Sequence, residues 1–263
     1  MSKDTKGSST PQSNTGISLP GNTLPSTEVL NFAADAGAGL EGADKDSFAL
    51  PFIAILQGLS PQLETVEGAK IGSFINTISN KLGAAVNVVP CAFSRKFLEW
   101  EPRDKGGNFR GMHDVAEVEA ANFNKDDKGQ IINAEGNILK DTRIHYVLVV
   151  EEDGTFSPAI ISLASTQIKK SKRWLSRIQN LQMKGPDGKF FTPPSFSHIY
   201  RCTAVKESND SGSWFGWDIN MLKPVDDAVL YRAAKALHSQ VAAGAIVAGN
   251  PVPESDDTAS GKF

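Results

Sequence analysis

The sequence predicts a β-rich α+β fold: an OB-like small β-barrel with one inserted basic amphipathic helix and flanking helices. Three observations lead there. Apolar, β-branched runs of strand length recur between residues 73 and 222, separated by turn signals such as Asp153-Gly154 and Pro186-Asp187-Gly188. One segment among those runs, Thr166 to Lys184, has helical periodicity instead. An alanine-rich helical stretch, Val225 to Val247, follows the last strand.

The elements are expected in this order. Residues 1–45 are polar and low in large apolar side chains, so they cannot offset the entropy of ordering and form a disordered arm. Residues 46–248 form a single OB-like nucleic-acid-binding domain, and residues 249–263 a flexible C-terminal tail. The domain opens on a short helix after Ser47, with Ile53, Leu56 and Leu59 at helical spacing and Pro51 in the first turn. Strands follow at Ser73 to Ile78 and Ala85 to Trp100. Asp104 to Asp114 is a glycine-rich basic loop, and residues 115–140 an excursion with at most a short hairpin. Thr142 to Val150 pairs with Pro158 to Leu163 across the Asp153-Gly154 turn. After the basic helix come strands at His198 to Lys206 and Trp214 to Leu222. The last helix carries Val229, Ala233, Leu237 and Val241 on one stripe.

Composition bounds the function. The chain has 263 residues, 40% hydrophobic, with net charge −3, so binding through bulk positive charge is excluded. Cys91 and Cys202 sit in apolar runs and read as buried free thiols. No apolar run reaches the roughly 20 residues of a membrane span, and the N-terminus lacks a signal-peptide core. A soluble cytoplasmic protein is expected. His113, His145, His198 and His238 show no metal-ligand spacing. A GxGxxG string, Gly37 to Gly42, lacks the preceding strand and following helix of a dinucleotide site. Neither a phosphate-cradling GxxxxGK[ST] loop nor a GxSxG elbow occurs. The expectation is therefore a binding protein, not an enzyme, with no cofactor and no metal.

The basic helix carries six cationic side chains and no acidic one. At about 100° per residue, Lys169, Lys170, Arg173, Arg177 and Lys184 fall within an arc of about 100°. Ile168, Trp174, Leu175, Ile178 and Leu181 lie opposite and face a core. A single-sign row of that kind attracts a polyanion. A second pattern interleaves aromatic and basic residues along Phe93-Ser-Arg95-Lys96-Phe97-Leu-Glu-Trp100. Strand alternation puts Phe93, Arg95 and Phe97 on one face and Ala92, Leu98 and Trp100 on the other, core-facing one. Exposed, the first set is a platform for stacking bases beside phosphates; with both phenylalanines in the core, Arg95 is incidental. Arg103, Lys105 and Arg110 supply mobile loop cations. Phe215, Trp217, Ile219 and Met221 make a core stripe, which leaves Trp214 outward beside Gly216, with room for a flat group. The tail ends in Asp256, Asp257 and Phe263, an acidic segment with an aromatic end suited to hooking a protein partner.

Several of these segments resemble phage-encoded single-stranded DNA-binding proteins of the OB-fold type. They are Phe74-Ile-Asn-Thr77, Val89-Pro90, Phe93, Glu99-Trp100-Glu-Pro-Arg103, Gly106-Gly107, Gly111-Met-His113-Asp114, Thr142 to Tyr146 and Ser165 to Ser171. The resemblance spans roughly residues 50 to 180 and implies replication or recombination on single strands, in the cytoplasm of an infected bacterium. The tail is similar to partner-recruiting tails of replication proteins but is shorter in acid and carries Lys262. The expected ligand is single-stranded DNA. Arg95, Lys96, Arg103, Arg110, Lys169, Lys170, Arg173 and Arg177 are placed on phosphates, and Phe93, Phe97 and Trp214 on bases. The alternatives are a strand-annealing recombination protein, and a regulator of host polymerase or replication proteins acting through the tail.

Overall fold

The computed structural model describes residues 32, 34–43, 47–127, 129–210 and 212–249. They belong to two compact units, Met1–Ala43 and Asp44–Phe263. In the first, residues 34–39 and 41–42 form turns, with Gly37 and Gly39 at φ 86° and 87°. Among the described residues of that unit the GxGxxG string has no strand before it and no helix after it.

The second unit is a mostly antiparallel sheet curled into a half-barrel, with a few helices, a β-rich α+β fold. Its strands are β1 (Ile53–Ile55), β2 (Phe74–Asn76), β3 (Leu82–Gly83), β4 (Ala85–Trp100), β5 (Phe109–Asp114), β6 (Asn124–Lys125), β7 (Ile131–Ile132), β8 (Ile138–Val150), β9 (Phe156–Ala164), β10 (Met183–Lys184), β11 (Phe190–Phe191), β12 (His198–Asn209) and β13 (Gly212–Pro224). The helices are α1 (Gln62–Thr65), α2 (Val115–Ala121), α3 (Ile168–Gln179) and α4 (Ala228–Ala242).

The axis is β4, 16 residues long. It pairs with β8 from Asn87↔Val150 to Trp100↔Ile138. Its other edge is shared: β12 takes the first half through Thr203↔Ala85 to Tyr200↔Val88, and β5 the second half from Lys96↔Asp114. The far edge of β8 carries β9. The spatial order β12-β4-β8-β9 is thus fourth-first-second-third, a Greek key. β13 lies outside β12 as its hairpin partner. The β4–β8 register slips between Pro90 and Ala92. Proline has no ladder N–H to give, and the extra residue of a bulge increases local twist, which curls the sheet.

Both faces of the sheet are buried. The inner face carries Val88, Val147, Ile161, Leu163, Cys202, Trp217 and Ile219, with Trp174 of α3 above them. The outer face packs Val89, Cys91, Leu148 and Ile199 under Leu230, Ala234 and Leu237 of α4. Cys91 and Cys202 are buried free thiols, as expected. Burial pushes the Cys91 thiol up to about 12 and the Cys202 thiol higher still.

Several elements differ from the sequence expectation. The segment after Ser47 is a strand: Ile53 and Ile55 point inward at period two and pair with Asn76 and Phe74, while Leu59 is exposed. In so short an apolar run, spacing alone does not separate helix from strand, and long-range pairing decides. The second half of the glycine-rich loop is β5, drawn out by the edge of β4 that β12 leaves open. The expected excursion contains α2, started by a capping box between Asp114 and Glu117. The basic helix stops at Gln179, so Lys184 lies in β10 and outside the cationic row. On α4 Leu237 is buried as expected, with Ala233 and Val241 packed partly buried beside it, but Leu230 and Ala234 complete the buried stripe and Val229 is exposed.

Residues 51–57 fill the seam between β9 and β13. Ile160 N donates to Pro51 O at 2.8 Å. On the other side Gln57 Nε2 donates to Phe215 O at 2.8 Å, and Gln57 Oε1 accepts from Phe215 N at 2.9 Å. One side-chain amide thereby imitates a backbone ladder pair. Replacing it (Gln57→Ala) orphans both backbone groups and should lower stability by about 1–3 kcal/mol, measured as a shift in the urea midpoint.

Candidate nucleic-acid interface

α3 is fixed to the sheet by its inward residues. The Trp174 ring stacks on His145 at 4.6 Å and meets Tyr200 edge-on at 5.6 Å. Ser171 Oγ lies 2.8 Å from His145 Nε2. Burial first, and then the charge of Arg143, push the His145 imidazole down to about 3, so it is neutral at physiological pH. With those residues facing inward, helical geometry places Lys170 and Arg177 on the flank over β12 and β13, Arg173 further round, and Lys169 almost opposite the sheet. Contacts agree. Lys170 Nζ pairs with Glu207 at 2.7 Å, and Arg177 Nη1 donates to Ile219 O at 2.7 Å. Lys170 and Arg177 thus anchor the helix, while Lys169 and Arg173 are exposed and make no ion pair among the described residues.

Glu207 organises the start of this flank. Its carboxylate accepts from Trp214 Nε1 at 3.1 Å and from Gln167 Nε2 at 3.2 Å, besides Lys170. Burial alone would raise this carboxyl, but the donors from Lys170, Gln167 and Trp214 outweigh it and hold it below its usual range. The space beside Gly216 is therefore occupied: a Cβ there would overlap the Glu207 carboxylate. This corrects the expectation of room for a flat group at that glycine. Gln167 Oε1 also accepts from Trp217 N at 3.0 Å, tying the entry of α3 to β13.

Trp214 is half-buried and lines a cleft of about 470 Å³. The cleft is also lined by Phe215, Ser162, Thr166 and Gln167, and by the loop bearing Arg103, Gly106 and Gly107. The fold thus brings Arg103 and Trp214, distant in sequence, to one cavity. Arg103 lies exposed in a single 3-10 turn, and Gly106 and Gly107 have φ of 120° and 67°, which favour glycine.

The aromatic-basic strand lies on the other flank of α3. Phe93 is 40% exposed, its ring 5.1 Å from that of His145. Phe97, on the same face, is buried against Val118 of α2 and Leu139, so the two phenylalanines have different fates. Arg95 grips Asp141 through Nε at 3.1 Å and Nη2 at 2.8 Å, and its guanidinium lies 5.6 Å from the Phe97 ring centre. Ala92, Leu98 and Trp100 pack in the core as expected. Lys96 pairs with Asp114, and Arg110 with Glu101, on the β5 edge. Arg110 is therefore a strand residue held in place and not a mobile loop cation. Sequence reasoning missed Arg143, which faces Arg95 across the ladder and shares Asp141 with it. The alternation Arg143-Ile144-His145 was the available signal. Asp256, Asp257 and Phe263 lie outside the described residues.

Among the described residues no His, Cys, Asp or Glu cluster is arranged to hold a metal ion, and no helix is long and apolar enough to cross a membrane. A family model, described as Pam3 phage gp34-like protein, matches residues 20–247. The match covers most of the chain, which belongs to that family. No curated protein and no solved structure matches.

His145 gives a pH test of the α3 seat. The unfolded chain takes up a proton near 6.5, while the folded chain resists until about 3. Stability is therefore full above about pH 6.5 and falls as pH drops toward 3, by at most about 5 kcal/mol at about 1.4 kcal/mol per unit. In denaturant titrations the His145→Gln variant should start less stable at neutral pH yet lose less between neutral and acid pH than the parent.

Proposed function

We propose that this member of the Pam3 phage gp34-like family is a sequence-tolerant single-stranded DNA-binding protein of phage replication or recombination, built on an OB-type barrel. The barrel is β4, β8, β9, β12 and β13, a five-stranded, partly open Greek key. Barrels of that type bind oligonucleotides on the face of their second and third strands and through the loops joining strands one to two and four to five. In this chain those parts are β8–β9, the connection from Trp100 to Ile138, and the β12–β13 turn.

One observation carries the reading. Arg103 of the first loop and Trp214 beside the second line the same cleft, which Ser162 of β9 floors. The cavity, about 470 Å³, suits a flat, nucleoside-sized group. A base stacked on Trp214 contributes about 1–3 kcal/mol and is accepted whatever its identity, because every base has a π-face. Arg103, Lys169 and Arg173 meet the phosphates. Glu207, held ionised next to Trp214, repels them from that wall and so orients base inward and backbone outward. The work is coating, not turnover, and its place is the cytoplasm of the infected host.

Fluorescence titration with single-stranded and duplex oligonucleotides at two salt concentrations tests this. The parent should bind the single strand and quench tryptophan, with little response to duplex. The Lys169→Glu, Arg173→Glu double variant should flatten the salt dependence by about 0.7 for each phosphate it no longer neutralises. Trp214→Ala should weaken binding about 5- to 150-fold. Equal affinity for duplex, or an unaltered double variant, would sink the proposal.

A further inference from the structure

Arg95 and Arg143 stand directly opposite each other across the β4–β8 ladder. Like charges in that arrangement repel and destabilise a sheet. Asp141 serves both: Arg95 holds it through two nitrogens, and Arg143 only through Nη2 at 3.3 Å. Glu119 of α2 exerts a weaker pull on Arg95. The Arg143 side chain is 12% exposed, and its Nε has no hydrogen-bond partner. Burial, with Arg95 beside it, pushes that guanidinium below its ordinary value against the opposing pull of Asp141. A half-sealed cation with one long hydrogen bond costs stability, and such a cost is characteristic of functional sites.

The surroundings say what would offset it. On the same face, one cross-strand pair along, Phe93 presents a ring that is 40% exposed and backed by His145. Helical geometry puts Lys172 on this flank of α3, about 160° round the helix from Lys170, and it is exposed. A pair of guanidiniums matches a phosphate's oxygens, and a ring beside it matches a base.

We propose that Phe93, Arg95 and Arg143 form a second nucleotide subsite, in which a backbone phosphate bridges the two guanidiniums and its base stacks on Phe93. The subsite rests on the reading of the protein as a single-strand binder and extends it. The strand is gripped on both flanks of α3, in the Trp214 cleft and at Phe93.

The test uses the full chain and two thymidine oligonucleotides, of about 4 and about 16 nucleotides, the range of site sizes for one such barrel. The short one fills the cleft alone, and the long one reaches both flanks. Arg143→Gln should weaken the long oligonucleotide about tenfold and flatten its salt dependence by about 0.7, leaving the short one within about twofold. Phe93→Ala, its folding checked by its thermal melt, should show the same split, and Phe93→Trp should add a signal quenched only by the long oligonucleotide. If both variants keep parental affinity for the long oligonucleotide, or lose both oligonucleotides in parallel, the second subsite is overturned and the cleft stands. If the parent binds neither oligonucleotide, the binding function falls with it.

Discussion

The Trp174 indole lies on the His145 imidazole with ring centres 4.6 Å apart, and this contact fixes the rotation of α3 about its own axis. The consequence reaches every cation on the helix. With Trp174 and Ser171 inward, Lys170 and Arg177 fall over β12 and β13, and Lys172 falls on the opposite flank. A turn of one residue, about 100°, would pull Lys170 off Glu207 and Arg177 off Ile219 O. The buried imidazole makes that rotation expensive because it is neutral, stacked on Trp174, flanked by the tilted Phe93 ring and hydrogen-bonded to the helix it holds.

A second constraint concerns where positive charge is left over. The chain has net charge −3, and several basic side chains of α3, β4 and β5 meet a carboxylate or a carbonyl. Lys96, Arg110, Arg95 and Lys170 are each matched by an acid from a different strand or turn. Exposed pairs of this kind contribute only about 0–1 kcal/mol each to stability, but they cancel the field of the cation. On α3, Lys170 and Arg177 are taken up by Glu207 and Ile219 O, while Lys169, Lys172 and Arg173 stay exposed.

Legibility in the sequence followed the strength of local pattern. β4, β8, β9, β12 and β13 are long and alternate clearly, and their positions were readable within a few residues. β1 was not, because three apolar residues fit either period and their partners lie on β2 and β9. α2 was readable in principle from Asp114 and Glu117 three apart, but its 7 residues, VAEVEAA, are too few to show a clear helical period. That miss propagated into the site: α2 is what buries Phe97, so without it the alternation of Phe93 and Phe97 could not separate an exposed ring from a core one. The neutralising partners were invisible for a simpler reason. Asp141 lies on a different strand from Arg95, and Glu207 beyond two further elements from Lys170, and only the β-pairing joins them.

The cleft lies at the seam where the two edges of the curled sheet, β9 and β13, do not pair. A continuous ladder between β9 and β13 would put backbone hydrogen bonds, about 4.8 Å from strand to strand, across the seam and leave no space there. Instead the seam is bridged at one end by Pro51 and Phe52 on Ile160, and at the other by the Gln57 carboxamide on Phe215. Between a short strand and a single side-chain clamp the two edges stand apart. Gln57, Phe215, Ser162 and Ala164 all line the cavity that results. Gln57 thus both satisfies the open edge of β13 and lines the cavity that Trp214 and Arg103 share, at the point where the curled sheet does not close on itself.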